Sequence, residues 1–197
     1  LRRALIDQAS RHTHSIMPGF THFQHAQPTT LAHYLLAYEA VFARDTQRLF
    51  DAYTRVNISP LGSAAFAGTG FTIDREVTAE YLGFTAPMTN SMDGVASRDF
   101  ILEVLAVLSI LMTNVSRLCE ELVLWSSAFI RFVDLDDAYC STSSIMPQKK
   151  NPDTAEIMRG KSGVTSGELM VGITLMKGLP MSYNRDMQDL TPHLWRS

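Results

Sequence analysis

Between residues 141 and 153 the sequence runs Ser141-Thr142-Ser143-Ser144-Ile145-Met146-Pro147-Gln148-Lys149-Lys150-Asn151-Pro152-Asp153. Hydroxyls come first, two adjacent lysines next, and a helix start last. With Asn151 as cap and Pro152 at the first helical position, free backbone N–H groups and the positive end of a helix dipole would face the same space as the lysines. Such a loop suits an anion, a carboxylate or a phosphate; a solvated Ser/Thr/Lys loop is the plainer alternative. Glu156 stands one turn into that helix, close enough to orient a group bound at its start, although acids at helix starts commonly face solvent. A second polar cluster, Thr21-His22-Phe23-Gln24-His25-Ala26-Gln27-Pro28, precedes another helix. Histidine is the side chain most readily made a proton carrier near neutral pH. For His22 or His25 alone, a capping or buried structural role is the alternative.

Other chemistries find less support. The six histidines include His12-Thr13-His14, but residues two apart on a helix point in different directions and no acidic partner stands at ligand spacing, so no metal site is expected. There is no glycine-rich phosphate loop or dinucleotide fingerprint, which points to a reaction without a cofactor. Cys119 and Cys140 are the two cysteines of the chain; they exclude a disulfide scaffold and fit a reducing cytoplasm. The balance of 17 Lys+Arg against 20 Asp+Glu, a net charge of -3, offers no basic footprint for nucleic acid or an anionic membrane, and 46% hydrophobic residues are too many for a disordered chain.

The elements that must position these groups read as helices. From Thr30 to Val56, apolar and aromatic residues recur at Leu31, Tyr34, Leu35, Tyr38, Phe42, Leu49 and Tyr53, one stripe of a long amphipathic helix. A threonine of Pro28-Thr29-Thr30 can cap its first amides. Upstream, Leu1 to Met17 reads as another helix, ended by Pro18-Gly19. Residues 57–73 have loop composition, with Pro60, Gly62, Gly68 and Gly70, and a short helix from Asp74 to Leu82 stops at Gly83. From Ser97 to about Phe132 there is neither Gly nor Pro. Phe100, Val104, Leu108, Leu111, Val115 and Leu118 keep helical spacing there, and the apolar character on nearly every side predicts a helix at the centre of a bundle rather than a membrane span, given Glu103 and the flanking Arg98, Asp99 and Arg117. Helix resumes at Pro152 or Asp153 and runs to about Lys177, and Thr191-Pro192 opens another. No strand is expected. The fold class is all-α, a long-helix bundle, with 1–197 as one domain; the start at Leu1, already inside a helical pattern, reads as the middle portion of a longer chain, with no secretory signal.

Ser143 to Pro152 resembles the signature loop of the fumarase/aspartase superfamily, whose members eliminate fumarate from succinyl compounds. Its Pro-Gln-Lys-Lys-Asn-Pro form is similar to that of the argininosuccinate lyase family; fumarases and aspartases usually show Gly-Lys-Val after the proline, and adenylosuccinate lyases His-Lys. Pro18 to Pro28 resembles the family segment that carries its Thr-His pair. Leu61-Gly62-Ser63-Ala64-Ala65-Phe66-Ala67-Gly68, Asn90-Ser91-Met92-Asp93, Ser97-Arg98-Asp99-Phe100 and Leu179-Pro180 with Tyr183-Asn184-Arg185-Asp186-Met187-Gln188 are similar to it as well, in the same order.

The resemblance implies the central helical domain of such a lyase, acting on argininosuccinate without a cofactor, as a cytoplasmic homotetramer whose active sites are completed by loops from different subunits. Ser143 would be the base on the succinyl Cβ proton. Lys149 and Asn151 would hold the substrate carboxylate, with Ser144 beside them. His22 would act on the leaving nitrogen with Glu156 as its partner, and Thr21, Tyr183 and Gln188 match substrate-binding positions. Three features depart from the family: Thr142 stands where Gly is usual, Thr191 stands where a substrate-binding lysine is usual, and the family's Ser-Arg-Asn-Asp segment, with the C-terminal helical domain, lies outside this chain. The fragment alone is therefore expected to be inactive. Two further readings remain at this point: a non-catalytic structural or assembly protein of the same family, crystallin-like, and a sister lyase such as adenylosuccinate lyase.

Overall fold

In the computed structural model, which describes residues 1–197, seven α-helices dominate and three short two-stranded pairings tie their connections. The chain forms two compact units, Leu1–Arg48 and Leu49–Ser197.

In the first unit, α1 (Arg2–Arg11) buries Leu5 and Ala9. It ends well before the expected Met17, because residues 16–30 are not loop and helix but an antiparallel hairpin, β1 (Ile16–Thr21) with β2 (Gln24–Thr30). This corrects the expectation of no strand. Its pairing runs from Ile16 with Thr30 to Thr21 with Gln24, and shifts between Pro18 and Phe20. Gly19 is required inside that irregularity: a Cβ there would lie 2.5 Å from the Gln27 carbonyl oxygen. The two-residue turn is His22-Phe23, with φ of 56° and 55°. Positive φ at both central residues is the geometry of a type I′ hairpin turn, whose usual residues are Asn and Gly. Helix α2 (Leu31–Val56) follows at once, the Thr30 hydroxyl accepting from the His33 N–H at 3.2 Å as the capping argument requires. Its stripe buries Leu35, Tyr38 and Phe42, and Arg2 of α1 pairs with Glu39 at 2.8 Å.

The second unit takes in the last turns of α2 from Leu49 and then β3 (Ile58–Ser59), which pairs in parallel with β4 (Ala86–Pro87). Between them lies α3 (Arg75–Tyr81), capped by Asp74, whose carboxylate accepts from the Val77 N–H at 3.0 Å, and ended at Gly83 with φ 78°. A helix missed by the spacing argument, α4 (Ser91–Ala96), is capped by Asn90. Then come the two long helices of the unit, α5 (Asp99–Ser126) and α6 (Asp153–Met176). They pack antiparallel: Leu102 lies against Gly172, Ser109 Oγ donates to the Thr165 carbonyl at 3.3 Å, and Glu120 pairs with Arg159. A turn of 3-10 helix over Arg185–Asp189 leads into α7 (Leu190–Arg196). The N-cap of α7 is Asp189, two residues ahead of the expected Thr191.

Leu190 of α7 is fully buried with Ile101 and Leu105 of α5, and Phe100, Leu102, Leu169 and Leu175 pack round them. Gly172 permits this close approach: a Cβ would stand 2.8 Å from Leu102 Cδ2 and 3.2 Å from Leu190 Cδ1. Gly172→Val is therefore expected to lower unfolding stability by about 1–3 kcal/mol through overpacking, measurable as a lower urea midpoint in the complete protein; an unchanged midpoint would refute the contact.

Helix α5 is long and apolar enough to cross a membrane by length and composition. Within this chain it is sided rather than covered all round, burying Ile101, Leu105, Val107, Leu118, Cys119 and Trp125 and leaving Ile110 42% exposed. Helix α6 likewise leaves Ile157, Val164, Met170 and Ile173 exposed.

Candidate active site

The residues from 141 to 156 form one continuous structure. β5 (Ser141–Thr142) pairs antiparallel with β6 (Lys150–Asn151), Ser141 with Asn151 and Thr142 with Lys150, so that residues 143–149 project as the loop of a small hairpin. Thr142 occupies a paired strand position, which a β-branched residue suits. Asn151 is also a strand residue, and the cap falls one position later: the Pro152 carbonyl accepts the first helical bond, from Glu156 N at 3.1 Å. That corrects the placement of Asn151 as cap. No side chain caps α6, which leaves the first N–H groups of the helix without an intrahelical partner.

Within the loop the Ser143 hydroxyl accepts from two backbone N–H groups, those of Ile145 and Met146, each at 3.3 Å. Two donors aimed at one oxygen favour negative charge on it. Ser144 and Lys149 are exposed. The two lysines differ in their surroundings. Lys150 reaches Asp137 at 2.7 Å and Asp134 at 3.0 Å, and these carboxylates hold its ammonium well above the usual lysine range while Lys150 holds Asp137 below the usual carboxylate range. Lys149 has no such carboxylate and extends from the loop, its backbone N–H fixed to the Met146 carbonyl at 2.9 Å. Glu156 is exposed on the first turn of α6, its Oε1 3.7 Å from Arg159 Nη2.

The remaining predicted residues lie elsewhere. Thr21 and His22 are neighbours at the tip of the first unit's hairpin, both exposed, with His22 at the turn itself; His25 instead packs its ring against Phe20, centroids 5.0 Å apart. In the second unit Tyr183 follows Ser182, whose φ of 75° turns the chain, and lines a cavity of about 850 Å³ with Pro60, Ser63, Thr69, Gly94 and Arg98. Gln188 is exposed on the 3-10 turn before α7. Sequence reasoning did not find this cavity. Its wall comes from segments 60–73, 94–98 and 183, and only their folding together creates it. It also did not find the Glu168–His193 pair between α6 and α7 or the Arg159 pairs. Cys119 is buried, which pushes its thiol up, Arg159 opposing; such a thiol is a poor nucleophile. No three His, Cys, Asp or Glu side chains gather at metal-ligand distances.

Comparison with known proteins agrees with the fold. The profile of a family described as lyase matches residues 1–167. Argininosuccinate lyase of Methanocorpusculum labreanum is 75% identical over the whole chain, and that of Methanoculleus marisnigri 70% identical; the chain spans 40% of the length of each. Among solved structures, EDDS lyase in complex with formate superposes with a TM-score of 0.91 at 35% identity, covering 99% of this chain and 41% of that one. Class II fumarase of Schistosoma mansoni superposes at 0.82 with 18% identity, a likeness of fold alone. The all-α class expected from the helical spacing is thus the architecture observed, and the chain belongs to the lyase family, with the helical fold of the fumarase/aspartase superfamily.

Proposed function

We propose that the protein to which this chain belongs is an argininosuccinate lyase, splitting argininosuccinate into arginine and fumarate. Ser143, as alkoxide, takes the Cβ proton of the succinyl moiety; Lys149 and Asn151, with Ser144, bind the adjoining carboxylate and the charge that develops on it. The C–N bond then breaks, and His22, oriented by Glu156, returns a proton to the departing guanidino nitrogen directly or through water, so protons and charge balance. Thr21, Tyr183 and Gln188 hold the substrate. No cofactor is invoked.

The observation that carries this reading is the Ser143 hydroxyl, an acceptor for two backbone N–H groups in a loop that also bears an exposed lysine. An ordinary serine is too weak a base to abstract a carbon-bound proton, and donors preset on its oxygen lower that cost. The 75% and 70% identity to argininosuccinate lyases supports argininosuccinate as the substrate rather than those of sister enzymes.

The protein acts as a cytoplasmic homotetramer in this proposal, each site joining a Ser143 loop to a His22 hairpin supplied by another subunit. The exposed Ile110 of α5 and Ile157, Met170 and Ile173 of α6 support it, since an apolar surface on two long helices favours burial against further helices. Sedimentation of the complete protein tests this directly, and a strict monomer would overturn it.

The decisive experiment is release of fumarate, followed by its ultraviolet absorbance, from the complete protein given argininosuccinate or adenylosuccinate separately. Turnover of argininosuccinate alone is expected. Turnover of adenylosuccinate would move the assignment to the sister lyase, and none with either would leave a structural role.

A further inference from the structure

An exposed glutamate on a helix samples several rotamers, and ordering it costs entropy each time it must meet a partner. Glu156 has this problem: its side chain is 46% exposed on the first turn of α6. One turn onward, Arg159 Nη2 stands 3.7 Å from Glu156 Oε1, while Nη1 of the same guanidinium donates to Glu120 Oε2 on the neighbouring helix α5. One arm of a rigid fork is therefore anchored across the helix interface, and the other is presented to Glu156.

As exposed ion pairs these contacts contribute little to stability. Their geometry matters more. At 3.7 Å the arginine attracts the carboxylate without occupying its lone pairs, and an ionised carboxylate has about four acceptor sites. Glu156 can thus be steered and still accept a hydrogen bond from a histidine ring. The remaining titratable neighbour of Arg159 on α5, Cys119, is buried and does not compete for the guanidinium.

We propose that Arg159 is a positioning residue for the elimination: anchored by Glu120, it holds the Glu156 carboxylate in the orientation from which Glu156 orients His22. This rests on the role proposed above for Glu156, and the test separates the two. In the complete protein assayed with argininosuccinate, Arg159→Met is expected to lower kcat about tenfold with KM nearly unchanged. Arg159→Lys, which keeps the charge but loses the fork, should recover part of that loss, and Glu120→Gln should fall between Arg159→Met and the parent. Adding Arg159→Met to Glu156→Gln should lower kcat no further than Glu156→Gln alone.

A merely structural tie between α5 and α6 would instead reduce the fraction of folded enzyme, read by circular dichroism and sedimentation, without changing kcat per folded site. That result, or full loss in both Arg159→Met and Arg159→Lys, overturns the inference. A costly Glu156→Gln beside a silent Arg159→Met overturns the inference alone; a silent Glu156→Gln overturns the role of Glu156 and the inference with it.

Discussion

Ser143→Ala in the complete protein is expected to lower kcat for argininosuccinate by about 10³-fold or more while leaving substrate binding within a few-fold of the parent. General-base removal alone is worth about 10²–10⁴. The alanine loses more than a proton acceptor, because the N–H groups of Ile145 and Met146, each 3.3 Å from Ser143 Oγ, are left aimed at an empty position. Ser144→Ala separates the two kinds of loss. Ser144 is exposed and makes no comparable pair of bonds, so its removal should weaken binding of the succinyl carboxylate and raise KM more than it lowers kcat. Isothermal titration with argininosuccinate on the Ser143→Ala protein, beside steady-state rates for both variants, distinguishes them. More than a tenth of parental kcat in Ser143→Ala would exclude Ser143 as the base and turn attention to a group carried by another loop.

The loop was readable from sequence because its chemistry is contiguous: residues 143–149, the turn into α6 and Glu156 lie within a few positions of one another. The long helices were readable for a related reason, since a stripe such as Leu35, Tyr38 and Phe42 repeats within one element. The hairpin at residues 16–30 was not. Its first strand is largely apolar and its second largely polar and exposed, with prolines at 18 and 28, so neither shows the alternation that marks a half-buried strand. Its turn is made by His22 and Phe23, residues that seldom adopt positive φ and give no turn signal. Backbone held in a sparsely populated region tends to occur where function requires it, and His22, the proposed proton donor, stands at that corner. The cavity beside Tyr183 escaped for the opposite reason. Ser63, Arg98 and Tyr183 each sit in a segment with its own local explanation, and only the antiparallel packing of the second unit gives them a common wall. Arg98 belongs to a run that resembles the family, yet a role for it could not be read until its neighbours were known.

His193→Leu is expected to destabilise the complete protein by about 3 kcal/mol or somewhat more. His193 Nδ1 meets Glu168 Oε2 between α7 and α6, with side-chain exposures of 21% and 11%. Leucine fills much of the space but leaves the Glu168 carboxylate desolvated without its partner, and an orphaned buried polar group costs more than the pair itself contributes. Replacing both, His193→Leu with Glu168→Leu, should therefore be less harmful than His193→Leu alone, a coupling that urea midpoints of the four proteins can measure. Equal midpoints for parent and His193→Leu would refute the assignment. The consequence should extend to catalysis, because α7 is short and is held to the core by Leu190, Leu194 and this pair. The 3-10 turn carrying Gln188 runs directly into α7, and Tyr183 lies two residues before that turn. Loosening α7 should blur both proposed substrate contacts and raise KM while leaving the Ser143 loop, and with it kcat at saturation, near the parental value. A His193→Leu protein that lost kcat at unchanged KM would place the pair nearer the chemistry than its position between α6 and α7 implies.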